Sequence, residues 1–281
     1  SAESTEPNSE RTHSIFVGSP SLGTPAARAA LAAWAAEEAK RSRLKLLELR
    51  TREGDAEAAA GGSLGVSERK VTVLLDMAGT PELLFKQFPS KLRSQIRRPQ
   101  KEGMELRVGA EQVGAFYEVF ARNMRDLGTP VLPRAMFERI ARVFGERALF
   151  AVVYHEGVPV AGGCGFVWAD EFEITWASSL REHNAKSPNM LLYWGLMEHL
   201  VGRGARVFNF GRCTPGGPTH KFKLQWGGRD VPLPWLQWSP NTVSATPNPD
   251  AGAFGLAVRA WQRLPMPVAN AVGPFLARQI P

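Results

Sequence analysis

The stretch from Leu149 to Ala177 constrains the fold more than any other part of the chain. Leu149–Tyr154 and Val158–Trp168 are apolar runs separated by His155-Glu-Gly157, a hairpin signal. Glu171–Ala177 then alternates with period two after a turn at Ala169-Asp170. Three strands with connections this short form an antiparallel meander. Ser187-Pro188 next opens a helix that places Met190, Leu191, Trp194, Met197, Leu200 and Val201 on one face. Gly202 and Gly204 end it, and Arg206–Phe210 reads as a strand.

Upstream, Met104–Val108 reads as a strand. A helix follows over 111–127, with Val113, Phe116, Tyr117, Phe120, Met124 and Leu127 at helical spacing. Gly128 suits its C-cap, and Thr129-Pro130 stops it. Another helix is expected over 134–144, with Met136, Phe137, Ile140 and Phe144 inward. Residues 104–235 therefore read β-α-α-β-β-β-α-β, an α+β layer plan. Six of the eight tryptophans fall between Trp168 and Trp238, which places the densest core there.

The N-terminal part alternates strand and helix over too few residues for a complete layer. Residues 1–13 read as disordered and Ile15–Val17 as a short strand. Thr24-Pro25 starts a helix reaching Arg43, with Leu31 and Trp34 on its buried face. Strands follow at Leu44–Arg50 and Val71–Leu75, with a loop over 53–67 between them. Thr80-Pro81 opens a further helix with Leu83, Leu84 and Phe88 as its apolar face. At the other end, residues 239–252 read as a linker. A short amphipathic helix over 254–264 follows, and Pro265, Pro267 and Pro274 limit its continuation.

At 281 residues the chain suits one large domain or two smaller ones. Its two cysteines, Cys164 and Cys213, form no paired motif, which argues against a zinc site or disulfide framework and fits a reducing, cytoplasmic compartment. No apolar run reaches the length of a membrane span, and the polar, acidic start is unlike a secretory signal. The net charge of +7 favours anionic partners: nucleotide phosphates, tRNA, CoA or acidic lipid headgroups. The glycine motifs of dinucleotide and nucleoside-triphosphate sites are absent.

Two segments can carry chemistry. In Asn209–Lys223 a strand enters a loop rich in Gly and Pro that holds Arg212, Lys221 and Lys223. Glycine permits close backbone approach to a ligand, and arginine binds phosphate or carboxylate in bidentate fashion. If Lys221-Phe-Lys223 is extended, the two lysines share one face and Phe222 points to the core. A solvated basic loop is an equal reading of the same residues. The second segment is Lys91–Lys101, where Arg97 and Arg98 join Lys91, Arg93 and Lys101 along one helical side. It suits nucleotide or tRNA phosphates, although a solvated helix face is the commoner meaning of such a run. Among the histidines, His155 is expected to be exposed in its turn and His199 to be structural. His183 and His220 sit in loops and are candidates for a general base.

Taken together, the run Lys91–Gly103, Leu127-Gly-Thr-Pro-Val-Leu-Pro133, Phe144-Gly145, Tyr193-Trp194 and Asn209-Phe-Gly-Arg212 with Lys221-Phe-Lys-Leu-Gln-Trp-Gly227 resemble the FemAB-like branch of the GNAT superfamily. The likeness is strongest to FemAB-related proteins of exosortase/PEP-CTERM and exopolysaccharide systems. It covers roughly residues 15–50 and 85–240. The resemblance implies tandem GNAT-like domains, each a mixed twisted sheet flanked by helices. Here the first is incomplete, with about a third of a full-length relative expected upstream. The expected divisions are a tail at 1–14, the partial domain at 15–90, a second domain at 91–238, and a linker with the C-terminal helix at 239–281.

The resemblance further implies acyl or aminoacyl transfer to an amine of a cell-envelope or exopolysaccharide precursor. Lys221 or Lys223 is then the catalytic cation, the choice between them open. Asn209, Gly211, Arg212, Thr214, His220, Arg97 and Arg98 are then substrate-binding, and no metal is expected. The implied partners are a phosphate-bearing acceptor, tRNA and a peripheral membrane contact, with DNA not among them. Aminoacyl-tRNA and acyl-CoA are the alternative donors. The segment Arg181–Met190 lacks the Gly-rich pyrophosphate motif of CoA-dependent relatives, which favours the former. Cys213 stands where the family's motif has serine. A CoA-dependent N-acyltransferase and a non-catalytic scaffold of polysaccharide assembly are the competing readings.

Overall fold

The computed structural model describes residues 12–16, 24–44, 46–50, 64–67, 69–240 and 252–278. The expected meander is present as β6 (Ala148–His155), β7 (Val158–Trp168) and β8 (Glu171–Ser179), paired antiparallel in chain order. It forms the centre of a seven-stranded sheet ordered β10-β4-β9-β8-β7-β6-β5. The other members are β4 (Val71–Asp76), β5 (Glu105–Val108), β9 (Val207–Cys213) and β10 (Arg229–Pro232). Only the β8–β9 contact is parallel, so the sheet is mixed.

Helices cover both faces, and the strand alternation shows it. Leu149, Ala151 and Val153 of β6 join one core with α2 (Pro81–Gln87), α3 (Ser90–Lys101) and α6 (Pro188–Val201). Phe150 and Val152 point the other way, against α4 (Val113–Leu127) and α5 (Arg134–Phe144). A period-two strand buried on both faces is apolar at every position, as β6 nearly is. Trp194 and Trp226 anchor the first core through edge contacts with Phe88. The fold is thus α+β, with a central mixed sheet flanked by helices, as expected.

A smaller sheet, β1-β2-β11-β3, joins β1 (Thr12–Phe16), β2 (Leu46–Arg50), β3 (Gly65–Ser67) and β11 (Trp235–Trp238). Helix α1 (Pro25–Arg41) packs on it. The two sheets exchange chain: β4 belongs to the larger one, while β11 crosses back to complete the smaller. Only two residues separate β10 from β11, so the strip 229–238 straps the sheets together.

Several local expectations are corrected. Strand β1 already includes residues 12–14, which were read as tail, and β3 lies within the stretch read as loop. In α1, Leu31 and Trp34 are 62% and 63% exposed. Ala32, Ala35, Ala36 and Ala39 make the buried stripe instead, in one cluster with Leu47 and Leu49 of β2. Leu83, Leu127 and Phe144 are likewise exposed, while Leu84 and Phe137 are fully buried. His155 is buried against His183 and Lys186 rather than exposed. The prolines beyond 264 do not stop the chain being helical. After α8 (Gly252–Gln262), a turn leads into α9 (Met266–Ala277), with Pro267 in its first turn, where no donor is lost. Most of the expected tail and linker, including residues 241–251, lies outside the described residues. The local signals that hold are the side-chain caps of Thr24 on α1 and Thr80 on α2, and Gly128 at φ 81° ending α4.

Candidate active site at the end of β9

The parallel pairing of β8 and β9 is short. Glu171, Phe172 and Glu173 face Val207, Phe208 and Asn209, and there the pairing ends although both strands continue. Asn209 fixes this point. Its side-chain oxygen accepts from the Thr72 hydroxyl at 2.5 Å and from the Gly211 amide at 2.8 Å. Its amide nitrogen donates to Glu171 at 2.8 Å and Glu173 at 3.3 Å. A buried amide with every hydrogen-bonding site used is a rigid node. Gly211 follows at φ 72°, and a Cβ there would lie 2.8 Å from the Ile174 carbonyl oxygen, so only glycine fits the close approach.

Beyond Gly211 the strand ends in Arg212 and Cys213, and the chain turns into α7 (Pro218–Leu224). The expected extended Lys-Phe-Lys run is thus helical. In a helix, residues two apart point about 200° from each other, so the two lysines separate. Lys221 faces solvent. Lys223 turns inward, only 4% exposed, and donates to the carbonyls of Gly211 at 2.5 Å and Arg212 at 3.1 Å. Burial holds its basicity below the usual lysine range, with Arg212 adding to the effect, while Cys213 and Glu173 oppose it. Burial also raises the Cys213 thiol above its ordinary value, against the pull of Lys223. The thiol stays protonated and is no activated nucleophile. Phe222 packs on Tyr193 at 5.1 Å, inward as expected, although by helical geometry.

A cleft of about 340 Å³ opens in front of this strand end, lined by Lys70, Arg212, Cys213, Thr214 and Gly217–Thr219. Lys70 donates to the Thr214 hydroxyl at 2.6 Å. Arg212 lies 5.1 Å from the ring centre of Trp235, whose ring also carries Arg50 at 4.6 Å. Burial first, and then Arg50, lowers the basicity of Arg212. Trp235 belongs to the strap, so the smaller sheet supplies one wall of this cationic corner. Arg50 is itself paired to Glu48 at 2.8 Å.

His220 lies behind the turn. Its Nδ1 accepts from the Gly216 amide at 3.0 Å, which leaves Nε2 to donate to Asp230 at 2.8 Å. With both nitrogens engaged it pins the turn to β10 and has no site left for a substrate proton. Arg97 and Arg98 are not brought to the cleft. They sit on the outer side of α3. Arg97 lies over Phe85 at 5.1 Å and lines a separate, open depression of about 620 Å³ with Glu82, Arg93, Trp194 and Glu198. His183 is in the 3-10 turn Arg181–Lys186 that precedes α6, beside His155, and does not line the cleft.

Sequence reasoning passed over Lys70, Arg50, Trp235 and the Glu171/Glu173 pair. The carboxylates had a signal, because Glu-Phe-Glu in a strand puts both acids on one face. The other three reach the site through pairing of distant strands, which leaves no local trace.

Residues 86–223 match the sequence profile of the acetyltransferase (GNAT) domain family. No curated protein sequence matches the chain. Among solved structures, FemX superposes with a TM-score of 0.62 at 15% identity, covering 79% of each chain. The C-terminal domain of a protein assigned as lysylphosphatidylglycerol synthetase, from Agrobacterium fabrum, gives 0.56 at 16% identity over 81% of this chain and 74% of that one. L-PGS from Bacillus licheniformis gives 0.55 at 15% over 81% and 76%. These likenesses concern the fold, whose mixed sheet and helices they share. The profile match over residues 86–223 and the shared fold together support an acyltransferase of the GNAT type.

Proposed function

We propose that this acyltransferase joins an aminoacyl group to an amine of a phosphate-bearing cell-envelope or exopolysaccharide precursor, and that Lys223 is its catalytic cation. The observation that carries the reading is the buried ammonium of Lys223, held by the backbone carbonyls of Gly211 and of Arg212, a residue that lines the cleft with Lys70. An ammonium has three donors, and two are engaged. In this reading the third donates to an oxyanion that forms at the end of β9. As the acceptor amine attacks the donor carbonyl, a C–N bond forms and the carbonyl oxygen gains negative charge. A preorganised, poorly solvated cation stabilises that charge more than it stabilises the neutral carbonyl. Collapse then expels the donor oxygen, and the amine proton passes to solvent. Arg212 and Lys70 bind the acceptor's phosphate.

A second reading, transfer from acyl-CoA with a thiolate leaving, is favoured by the acetyltransferase profile. One experiment separates the two. The protein is incubated with an amine-bearing, nucleotide-linked precursor and either charged tRNA or acetyl-CoA, and products are identified by mass. An amide product from charged tRNA is the expected result. Product from acetyl-CoA alone replaces the leading reading with the second.

A further inference from the structure

Helix α9 presents an unusual surface. From Met266 to Ala277 it contains no charged residue, and Asn270 is its only polar side chain. Its inner side, Ala269 and Gly273, packs closely on the body, and a Cβ at Gly273 would meet Val131 at 2.9 Å. The opposite side carries Val268, Val272, Phe275 and Leu276, exposed by 43%, 41%, 68% and 42%. Their spacing of i, i+4, i+7 and i+8 makes one continuous stripe. A helix apolar all round belongs in a buried setting, yet among the described residues nothing covers this stripe.

The charges beside it indicate what does. From Ala251 to the end of the chain there are three arginines, Arg259, Arg263 and Arg278, and no acidic residue. Arg259 is exposed on α8, on the same helical side as Leu256, which is 63% exposed, and Arg263 is exposed in the turn that follows. Arg278 lies over the Phe275 ring at 5.9 Å, a cation standing on the most exposed aromatic of the stripe. Apolar side chains flanked by guanidinium groups match an anionic bilayer surface, where rings enter the acyl boundary and cations meet headgroup phosphates. The helix is about 18 Å long at 1.5 Å per residue, too short to span a bilayer.

We propose that the α8–α9 hairpin docks this protein on anionic membrane surfaces, with α9 lying in the interface. The hairpin is anchored to α4, not to the cleft. Arg125 donates to the Leu264 carbonyl at 3.2 Å, and Gln262 donates to the Asp126 carbonyl at 3.1 Å. Docking is therefore independent of the acyl-transfer reading.

The test is flotation of the full chain with vesicles of phosphatidylcholine alone or with one third phosphatidylglycerol. Binding is expected to the anionic vesicles, and F275D/L276D is expected to weaken it by about tenfold or more. R259E, R263E and R278E should each weaken it by about fivefold, with the loss masked at high salt. All these positions are exposed, and unchanged thermal unfolding of each variant verifies that it folds. The proposal is overturned if the parent binds neither vesicle, or if F275D/L276D floats like the parent. It is also overturned if light scattering shows a dimer that these substitutions dissociate, since the stripe then faces a second copy.

Discussion

The two basic segments, Lys91–Lys101 and Asn209–Lys223, look alike as sequence and differ in what the fold does with them. Helix α3 buries Leu92, Ile96 and Pro99, so Arg97 and Arg98 lie on its exposed side. Arg93 is committed to the carbonyls of Lys86 and Phe88. At the end of β9 the cations are pulled inward. Lys223 is buried on two carbonyls, and Arg212 stacks on a tryptophan from the other sheet. A charge in water interacts weakly, whereas a partly desolvated, preorganised one interacts strongly with any charge that develops beside it. Basic composition therefore marks both segments, and burial distinguishes the candidate site.

The sharpest way to break this comparison is within α7 itself. Lys223→Ala should lower kcat by about 100- to 1,000-fold, while Lys221→Ala should stay within about twofold. Equal losses in single-turnover assays would mean that the burial contrast carries no catalytic meaning. A smaller effect separates the segments. Arg212→Ala is expected to raise KM for a phosphate-bearing acceptor by about tenfold, with kcat little changed. The double variant R97A/R98A should shift KM by less than about threefold. The reverse order, measured by initial rates across acceptor concentrations, would move the acceptor site to α3.

The smallest expected effect is a shift in pH dependence. Burial lowers the Lys223 pKa in the folded protein. Between that value and the unfolded one, the unfolded chain binds more protons, so stability rises with pH in this window. Activity that needs the cation moves in the opposite sense. It should fall at a pH below the ordinary lysine range, and Lys223→Arg should move that alkaline limb upward if it retains turnover. A limb unmoved by the arginine variant would assign the titration to another group.

Much of the secondary structure was legible because its signals are local. Thr24, Thr80 and Gly128 act on backbone groups within a few residues, and the hairpin at His155–Gly157 forces its two strands together. Burial faces were less legible. Leu31 and Trp34 are the largest apolar residues of α1, but the face that meets β2 is made by alanines. The histidines show the same limit: His220 reads as a loop histidine, and only its bonds to Gly216 and Asp230 show it to be a pin.

The sequence by itself determined the order of strands and helices around the meander and the concentration of candidate chemistry between Asn209 and Lys223. Those properties depend on periodicity, caps and residue type over short distances. The tertiary structure decided which lysine is buried, which strand closes which sheet, and that Lys70, Arg50 and Trp235 meet Arg212. These outcomes depend on the direction of each Cβ and on pairing between strands more than a hundred residues apart, as between Leu47 and Trp238. Short-range spacing carries no record of either.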